Sequence, residues 1–383
     1  MVGFAALFAL AGCTGLLGIE EATLAGPQDP AATADAGDAA RLETGPTHET
    51  SDAAAAAPEV SADAACGDAR GDDAKNCGVC GHDCLGGACV TGVCQPSIFA
   101  SGQESPRSIS IHDGMLAWHN QGTPSAGTVM ACDRECTSGP WPVAKASYLT
   151  ALAHYNGGIA FASMATLSWC PFGGCTGASP PAVLGTSLTA IPFAVAGDRV
   201  HLMTRDRVDG GGNLAVVRSH TKSGTDAVLA SEPATFPNAA VAADAGAVYW
   251  QRGTSIMTCP AEGCPASGAV VLVSGVNAVQ LVSNGAVLAW SVLAGPITVC
   301  DLPSCTIRRD LIREVVSNPI TLDATHVYWA DSNTSTVRRR SLASAGDPEI
   351  LARAQNTPTS VAVDETSIYF TNTNQGAVMR LAK

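Results

Sequence analysis

Four close pairs of cysteines carry most of the reactive chemistry in this chain: Cys132/Cys136, Cys170/Cys175, Cys259/Cys264 and Cys300/Cys305. The stretch SIMTCPAEGC, Ser255 to Cys264, shows the type, with a proline and a glycine between the two thiols. Such a pair can be half of a metal site, a redox couple or a staple across a turn. A zinc site needs about four ligands in one place, whereas each pair supplies two and none has a histidine at useful spacing. A redox couple needs a low-pKa thiolate, usually at a helix N-terminus, and no helical period surrounds any pair. Each pair instead follows an apolar run (TVMAC, TLSWC, SIMTC, ITVC) and precedes another. The expected arrangement is a disulfide stapling the turn between the third and fourth strands of a unit, at the mouth of a hairpin where opposed residues lie about 4.5–5.5 Å apart, within bridging range.

The other cysteines set the architecture. Six of them, Cys66, Cys77, Cys80, Cys84, Cys89 and Cys94, fall in a stretch of residues 66–95 that has few large apolar residues. Three disulfides would hold such a module, with about 15 possible connectivities. Zinc at Cys77-Gly-Val-Cys80 with His82, or calcium on Asp68, Asp72 and Asp73, are the alternatives. The fifteenth cysteine, Cys13, ends the run Leu10-Ala11-Gly12-Cys13 behind an apolar N-terminus. Residues 1–12 are too short to span a bilayer, which takes about 20 apolar residues, and they suit the apolar region of an export signal. Leu10 to Cys13 resembles the lipobox of bacterial lipoproteins. The resemblance implies cleavage before Cys13, acylation of its thiol and attachment to a membrane; no Lys or Arg precedes the run, which departs from a normal signal. The stretch NCGVCGHDCLGGACVTGVC is similar to short Cys-Gly-rich modules of predicted bacterial surface proteins. An exported chain meets an oxidising compartment, in which paired cysteines form disulfides.

No nucleophile elbow, zincin helix, phosphate loop or dinucleotide fingerprint is present, so no catalytic residues, metal or cofactor are expected. His112, His119, His154, His201 and His326 lie in or beside strand-like runs and suit turn or packing roles. Candidate binding residues sit in polar loops instead: His119 and Asn120 in HNQGTPSAG (119–127), Arg205, Asp206, Arg207 and Asp209 in RDRVDGGGN (205–213), Asp331 and Asn333 in ADSNTS (330–335), and Asn372 and Asn374 in TNTNQG (371–376). Polar loops on a rigid scaffold are common binding surfaces.

Behind those residues stands a repeat. The formal charge of −13 is concentrated in residues 14–65, where ten acids face Arg41 alone. That Ala- and Asp-rich stretch has no apolar period and is expected to be a disordered tether over 13–65. The remainder is close to neutral and has no basic face for nucleic acid. From residue 96 onward, units begin near Pro106, Ala151, Ile191, Pro237, Val279, Pro319 and Pro358. They recur about every 42 residues, the scale of a four-stranded propeller blade. Alternating apolar runs and turn punctuation mark strands. Several units carry an Asp turn (Asp244, Asp323, Asp364) before an aromatic pair (Tyr249-Trp250, Tyr328-Trp329, Tyr369-Phe370), and Trp118, Phe161, Met203 and Trp290 hold the bulky place in the others. The last unit stops after its third strand. The segment near Ser97 to Ala100 is expected to supply the fourth and close the ring, which removes an exposed edge. Tyr328-Trp329-Ala330-Asp331 resembles the YWTD signature of low-density lipoprotein receptor propellers, and the units are similar to NHL-type repeats.

These readings predict an all-β chain: signal 1–12, tether 13–65, Cys-rich module 66–95 and a seven-bladed β-propeller over 96–383. The expected role is non-catalytic binding of a protein or glycan at a cell surface, with a lipid joining Cys13 to the membrane. A purely structural envelope lipoprotein is one alternative. The other is a lyase- or lactonase-type propeller enzyme with a metal in its central channel, because a fold alone does not determine function.

Overall fold

A computed structural model describes residues 71–383 apart from 123–126, 188, 190, 208–211, 222–223, 225, 234–239, 294, 314–317 and 344–345. The signal segment, the tether, Cys13, Cys66 and Asp209 lie outside the described residues. Within them, seven four-stranded antiparallel sheets form a ring. Blade 1 comprises Pro106–His112, Met115–Asn120, Thr128–Asp133 and Trp141–Lys145. Blades 2 to 6 span 149–186, 193–233, 241–274, 278–312 and 320–352. Blade 7 takes three strands from 358–382 and its fourth from Ser97–Ala100. That closing strand runs antiparallel to Ala377–Ala382, pairing Ser97 with Arg380 and Ala100 with Val378.

The repeat reappears as packing. Seven buried clusters form, one at each seam between neighbouring blades. The fourth residue of each second strand is its anchor. Trp118, Phe161, Trp250, Trp290, Trp329 and Phe370 are all buried, and each packs toward the preceding blade. Burying side chains of this size contributes roughly 2–3 kcal/mol apiece, and the ring of them keeps the blades in register.

Blade 3 corrects the sequence alignment by one residue. Its second strand, Arg199–Arg207, places Leu202 in the cluster shared with blade 2, while Met203 faces blade 4. Leu202 is therefore the counterpart of Trp250, and His201 the counterpart of Tyr249. The period-two alternation of a strand makes that slip decisive, because each one-residue shift reverses the side.

The Asp turns follow a shared design. Asp323 Oδ1 accepts the backbone N–H of Thr325 and of His326, both at 2.7 Å, and its Oδ2 accepts the Tyr328 hydroxyl at 2.6 Å. Asp244 does the same with Gly246, Ala247 and Tyr249. Neighbouring blades then use the second carboxylate oxygen. Lys383 reaches Asp323 at 2.7 Å, Ser283 reaches Asp244 at 2.6 Å, and Arg134 reaches Asp364 at 2.7 Å. Burial opposes ionisation of Asp323, but Lys383, Tyr328 and the two backbone amides outweigh it and hold the carboxyl far below the usual range. Tyr328 is pushed well up, by burial and by that same carboxylate. In blade 3, Ala196 stands where Asp would, and both ring nitrogens of the fully buried His201 lack a hydrogen-bond partner.

All four cysteine pairs are disulfides, with Cα separations of 4.9–5.6 Å. Each bridge sits at the turn between a third and a fourth strand, as expected, with its second cysteine inside the turn. Cys132, Cys170, Cys259 and Cys300 belong to third strands, as expected. Cys136, Cys175, Cys264 and Cys305 do not belong to the fourth strands; each lies in the turn before one. Cys136 follows Thr128–Asp133 and precedes Trp141–Lys145. Its backbone is left-handed, with φ of 49°, and its N–H donates to Asp133 Oδ1 at 2.6 Å. Cys175 follows Thr166–Pro171 and precedes Ala182–Thr186. Its N–H donates to Val143 O at 2.7 Å, so this turn of blade 2 rests on the last strand of blade 1. Cys264 likewise precedes Val270–Ser274, and Cys305 precedes Arg308–Ile312.

Each bridge therefore clasps a turn and does not join two strands. The reason is spacing: with only three or four residues between the cysteines, the chain is still reversing when it reaches the second. Cys132, Cys170, Cys259 and Cys300 are buried within the seam clusters, and the half-buried Cys136 and Cys175 pack against two of those clusters from the turn side. The bridges tie the turns into the packed core.

The Cys-rich stretch is bridged 77–89 and 84–94, and Cys80 is also disulfide-bonded. This overturns the zinc alternative at Cys77 and Cys80, since those sulfurs are not thiolates. It also corrects the picture of a separate module. Cys77, Cys84, Cys89 and Cys94 join Phe370, Met379 and Leu381 in the blade 6–7 cluster. His82 Nε2 lies 2.9 Å from the Lys383 carbonyl, and the Lys383 N–H donates to Thr366 O. The half-cystines supply the apolar surface that the stretch otherwise lacks. They cover the place in blade 7 where the turn from third to fourth strand would run.

Candidate binding face and central channel

In this topology the loops from second to third strand share one face of the ring with the connectors between blades. The Asp turns and disulfide turns occupy the opposite face. The proposed loop residues are on the first face, but most of them are structural. His119 and Asn120 belong to a strand and are buried. His119 Nε2 donates to Ala146 O at 2.9 Å, tying blade 1 to the connector that follows it. Burial, only partly offset by that bond, holds the His119 imidazole below its ordinary pKa. Asn120 donates to Gln103 Oε1, which also accepts the Trp118 indole N–H.

The same holds elsewhere on the face. Asp206 pairs with Arg218 at 2.5 Å. Asp331 accepts the backbone N–H of Asn333 and Thr334 and the Thr334 hydroxyl, closing its own loop. Asn372, 1% exposed, donates to Gln355 and Gln375. Asn374 donates to Thr357. Asn333 and Arg207 are exposed, and no second candidate converges on either among the described residues. Asn and Asp favour these positions because their side chains complete turns, and that role accounts for most of the set.

Arg205 lines a channel of about 1290 Å³ through the ring, bounded by the first strands of the blades together with Met203, Thr204, Arg205 and Ala215 of blade 3 and Ser291 and Val292 of blade 5. The wall is aliphatic at Leu152, Ile191, Val241, Leu281, Ile320 and Val361, with hydroxyls and amides between them. Arg205 is the one charged side chain among the described lining residues. Some of the amides are already committed. Gln280 receives the Ile320 N–H and donates to the Ile320 carbonyl, at 2.9 and 3.0 Å. Asn318 donates to Pro358 O and to Ser332 Oγ. Gln251, outside the wall, makes the matching clasp from blade 4 to Val276 and Ala278. These amides fall at no repeated sequence offset, so periodicity could not reveal them.

The donor chemistry of the channel does not suit a divalent metal. Its described lining has no carboxylate, imidazole or thiolate, and neutral hydroxyls and amides hold such ions weakly without charged ligands. The channel can instead exclude water around an apolar group.

No family model matches the chain, and no curated protein matches it. Solved structures do. The WD40 β-propeller domain of Doa1 aligns over 75% of this chain and 96% of its own, at TM-score 0.54 and 12% identity. The AfRom2 CNH domain aligns over 75% and 98%, at TM-score 0.51 and 10% identity. A streptogramin B lyase structure aligns over 75% and 97%, at TM-score 0.49 and 13% identity. At such identities the likeness concerns the fold alone, and by fold this chain is a seven-bladed β-propeller.

Proposed function

We propose that this chain is an exported lipoprotein whose propeller binds a protein or glycan outside the cytoplasm without transforming it. The observation that carries the reading is the chemistry of the ring's inner wall: a rigid, largely neutral surface without an acid–base pair, a nucleophile–base pair or a metal donor set among its described residues. The disulfide-clasped turns suit an oxidising compartment, where such bonds persist. The lipobox-like Leu10 to Cys13 supports a lipid on Cys13 as the membrane tether, with the propeller presented at the cell surface.

Two experiments test this. The full chain, expressed in a bacterial host with an alkyne fatty acid, should carry label that Cys13→Ala removes; label retained in that variant defeats the anchor. The purified chain should capture a defined extracellular protein or polysaccharide, and Arg205→Glu together with Arg207→Glu should weaken that capture at least tenfold. Capture unaffected by both changes would remove the loop face from the reading. Turnover of the captured glycan would replace binding with catalysis.

A further inference from the structure

Blade 2 exposes large apolar side chains at two places that other blades fill with small ones. We infer that this corner of the loop face docks an acidic peptide segment of a partner protein, through Tyr148 and Met164 flanked by Lys145 and Arg107. The inference rests on the loop face as a binding surface and narrows the partner from protein or glycan to protein.

The backbone points there first. Tyr148 and Met164 are both left-handed, with φ of 52° and 54°, a conformation that bulky L-residues rarely adopt. Elsewhere the repeat fills the same two places with residues better suited to them. Gly253, at φ 54°, opens the two-residue loop between the second and third strands of blade 4, as Met164 does in blade 2. Ser105 and Thr357, at φ 54° and 59°, immediately precede the first strands of blades 1 and 7, as Tyr148 does in blade 2. Packing does not account for the exchange. Tyr148 is 55% and Met164 63% exposed, whereas Leu85, also left-handed, packs against the blade 6–7 cluster. Neither conformation nor burial selects a phenol ring and a thioether here, and both groups are enriched where proteins meet. The two positions adjoin. Leu149 pairs with Ser163, and the Ser163 hydroxyl donates to Ser147 O, which sets residues 147–149 against the hairpin end that carries Met164.

Charge points the same way. Lys145 ends the strand that leads to Tyr148 and is exposed. Arg107, also exposed, pairs with His119, whose ring bonds the Ala146 carbonyl, so Arg107 stands on the blade 2 side of blade 1. Neither cation has an ion-pair partner among the described residues. Residues 136–197, which include all of blade 2, contain no Asp or Glu, so nothing local answers those charges. Glu104, an exposed carboxylate of the same face, is in the connector from blade 7. An acidic peptide supplies the missing carboxylates, and apolar residues between them cover Tyr148 and Met164. A uronate polymer would supply the carboxylates but mainly hydroxyls beside them.

The test is fluorescence anisotropy on the full chain at low salt, with a labelled peptide of alternating Glu and Leu, its Lys–Leu counterpart, and polygalacturonate as competitor. The Glu–Leu peptide should bind at least tenfold more tightly than the Lys–Leu peptide. Lys145→Glu with Arg107→Glu should reverse that order. Tyr148→Gly with Met164→Gly should weaken the Glu–Leu peptide at least tenfold while the melting temperature holds or rises, because glycine relieves both left-handed positions. Absence of Glu–Leu binding overturns the inference. So does binding indifferent to both double variants, or a glycine variant whose lost binding follows lost stability. Polygalacturonate that displaces the peptide at equal carboxylate concentration would overturn the assignment to protein in favour of an acidic glycan. A chain that ignores the Glu–Leu peptide yet captures a macromolecule through other loops defeats this inference and leaves the broader reading standing.

Discussion

Blades 3 and 6 both lack the disulfide found in blades 1, 2, 4 and 5, and they compensate in opposite ways. Blade 6 substitutes a charge network. Asp323 collects two backbone amides, Tyr328 and Lys383, and the Lys383 ammonium also lies 5.4 Å from the centre of the Tyr328 ring. Blade 3 substitutes length. Its central strands, Arg199–Arg207 and Asn213–Thr221, run nine residues each and pair along their whole length. The Arg218–Asp206 ion pair and the His220–Asp226 side-chain contact border them. The cost falls on His201, which fills the tyrosine's position without the aspartate that would satisfy it. The Asp turn of blade 6 is locked by satisfied polar groups, whereas the corresponding place in blade 3 leaves the His201 ring nitrogens unsatisfied. The unpartnered hydroxyl of Thr204 is also in blade 3.

The contrast can be broken most forcefully at Asp323. Asp323→Ala strands the Tyr328 hydroxyl, leaves Lys383 with the Asp364 carbonyl alone, and should cost on the order of 3 kcal/mol in chemical denaturation. Asp198→Ala at the corresponding turn of blade 3 should change stability by less than about 0.5 kcal/mol, because that side chain is exposed. Equal losses would erase the distinction. Next in size, Cys259→Ala with Cys264→Ala should cost about 2 kcal/mol through the lost restriction on the unfolded chain. A larger deficit would indicate that the buried half-cystine matters mainly by packing.

Smaller still is the repair of blade 3. Ala196→Asp with His201→Tyr transplants the blade 6 arrangement and should gain about 1 kcal/mol. The repair should also reshape the acid response. Burial lowers the pKa of His201 and of His154 to about 4, against roughly 6.5 in the unfolded chain. The unfolded state therefore takes up protons first, and stability falls as pH drops from about 6.5 to 4, then levels. Asp323 has the reverse character. Its contribution is complete above about 4, the unfolded carboxyl range, and is lost as acid reaches its depressed folded value. Thermal melts across pH should show two windows, and His201→Tyr with Ala196→Asp should shallow the upper one while the added carboxylate steepens the lower. An unchanged upper slope would mean that His201 is not what senses acid there. The least effect belongs to Asn333→Ala, at an exposed turn position, which should leave the melting temperature within about 1 °C.

Much of the ring was legible in the residues. Tyr249-Trp250 and Tyr328-Trp329 announce a two-sided strand, with one member facing each neighbouring blade, and the spacing of such pairs counts the blades. The fourth strand of the last unit was recoverable because Ser97 to Ala100 resembles the other fourth strands. Legibility failed where a residue serves a partner remote in sequence. Nothing local distinguishes Asn372, spent on Gln355, from an asparagine offered to a ligand. Gln251 and Gln280 clasp the next blade from positions that look like ordinary strand sites. Leu202 and Met203 are both apolar, so the one-residue slip in blade 3 leaves hydrophobicity unchanged. The cysteine pairs named both their bonds and their place, because each follows a third-strand apolar run and leaves only three or four residues for the chain to reverse. The Cys-rich stretch reads as separate because its apolar surface is sulfur, made only when the bridges form.

The strand Ser97–Ala100 has a bearing on when this molecule can become itself. Ser97 and its partner Arg380 are 283 residues apart in the chain, so every nascent intermediate between them must carry an unpaired blade edge at each end of an open arc. Such edges invite pairing with other chains. Folding is thereby deferred until Ala377–Ala382 has been synthesised, and a polypeptide truncated before residue 377 would be left as sticky curved fragments with no route to a sealed circle.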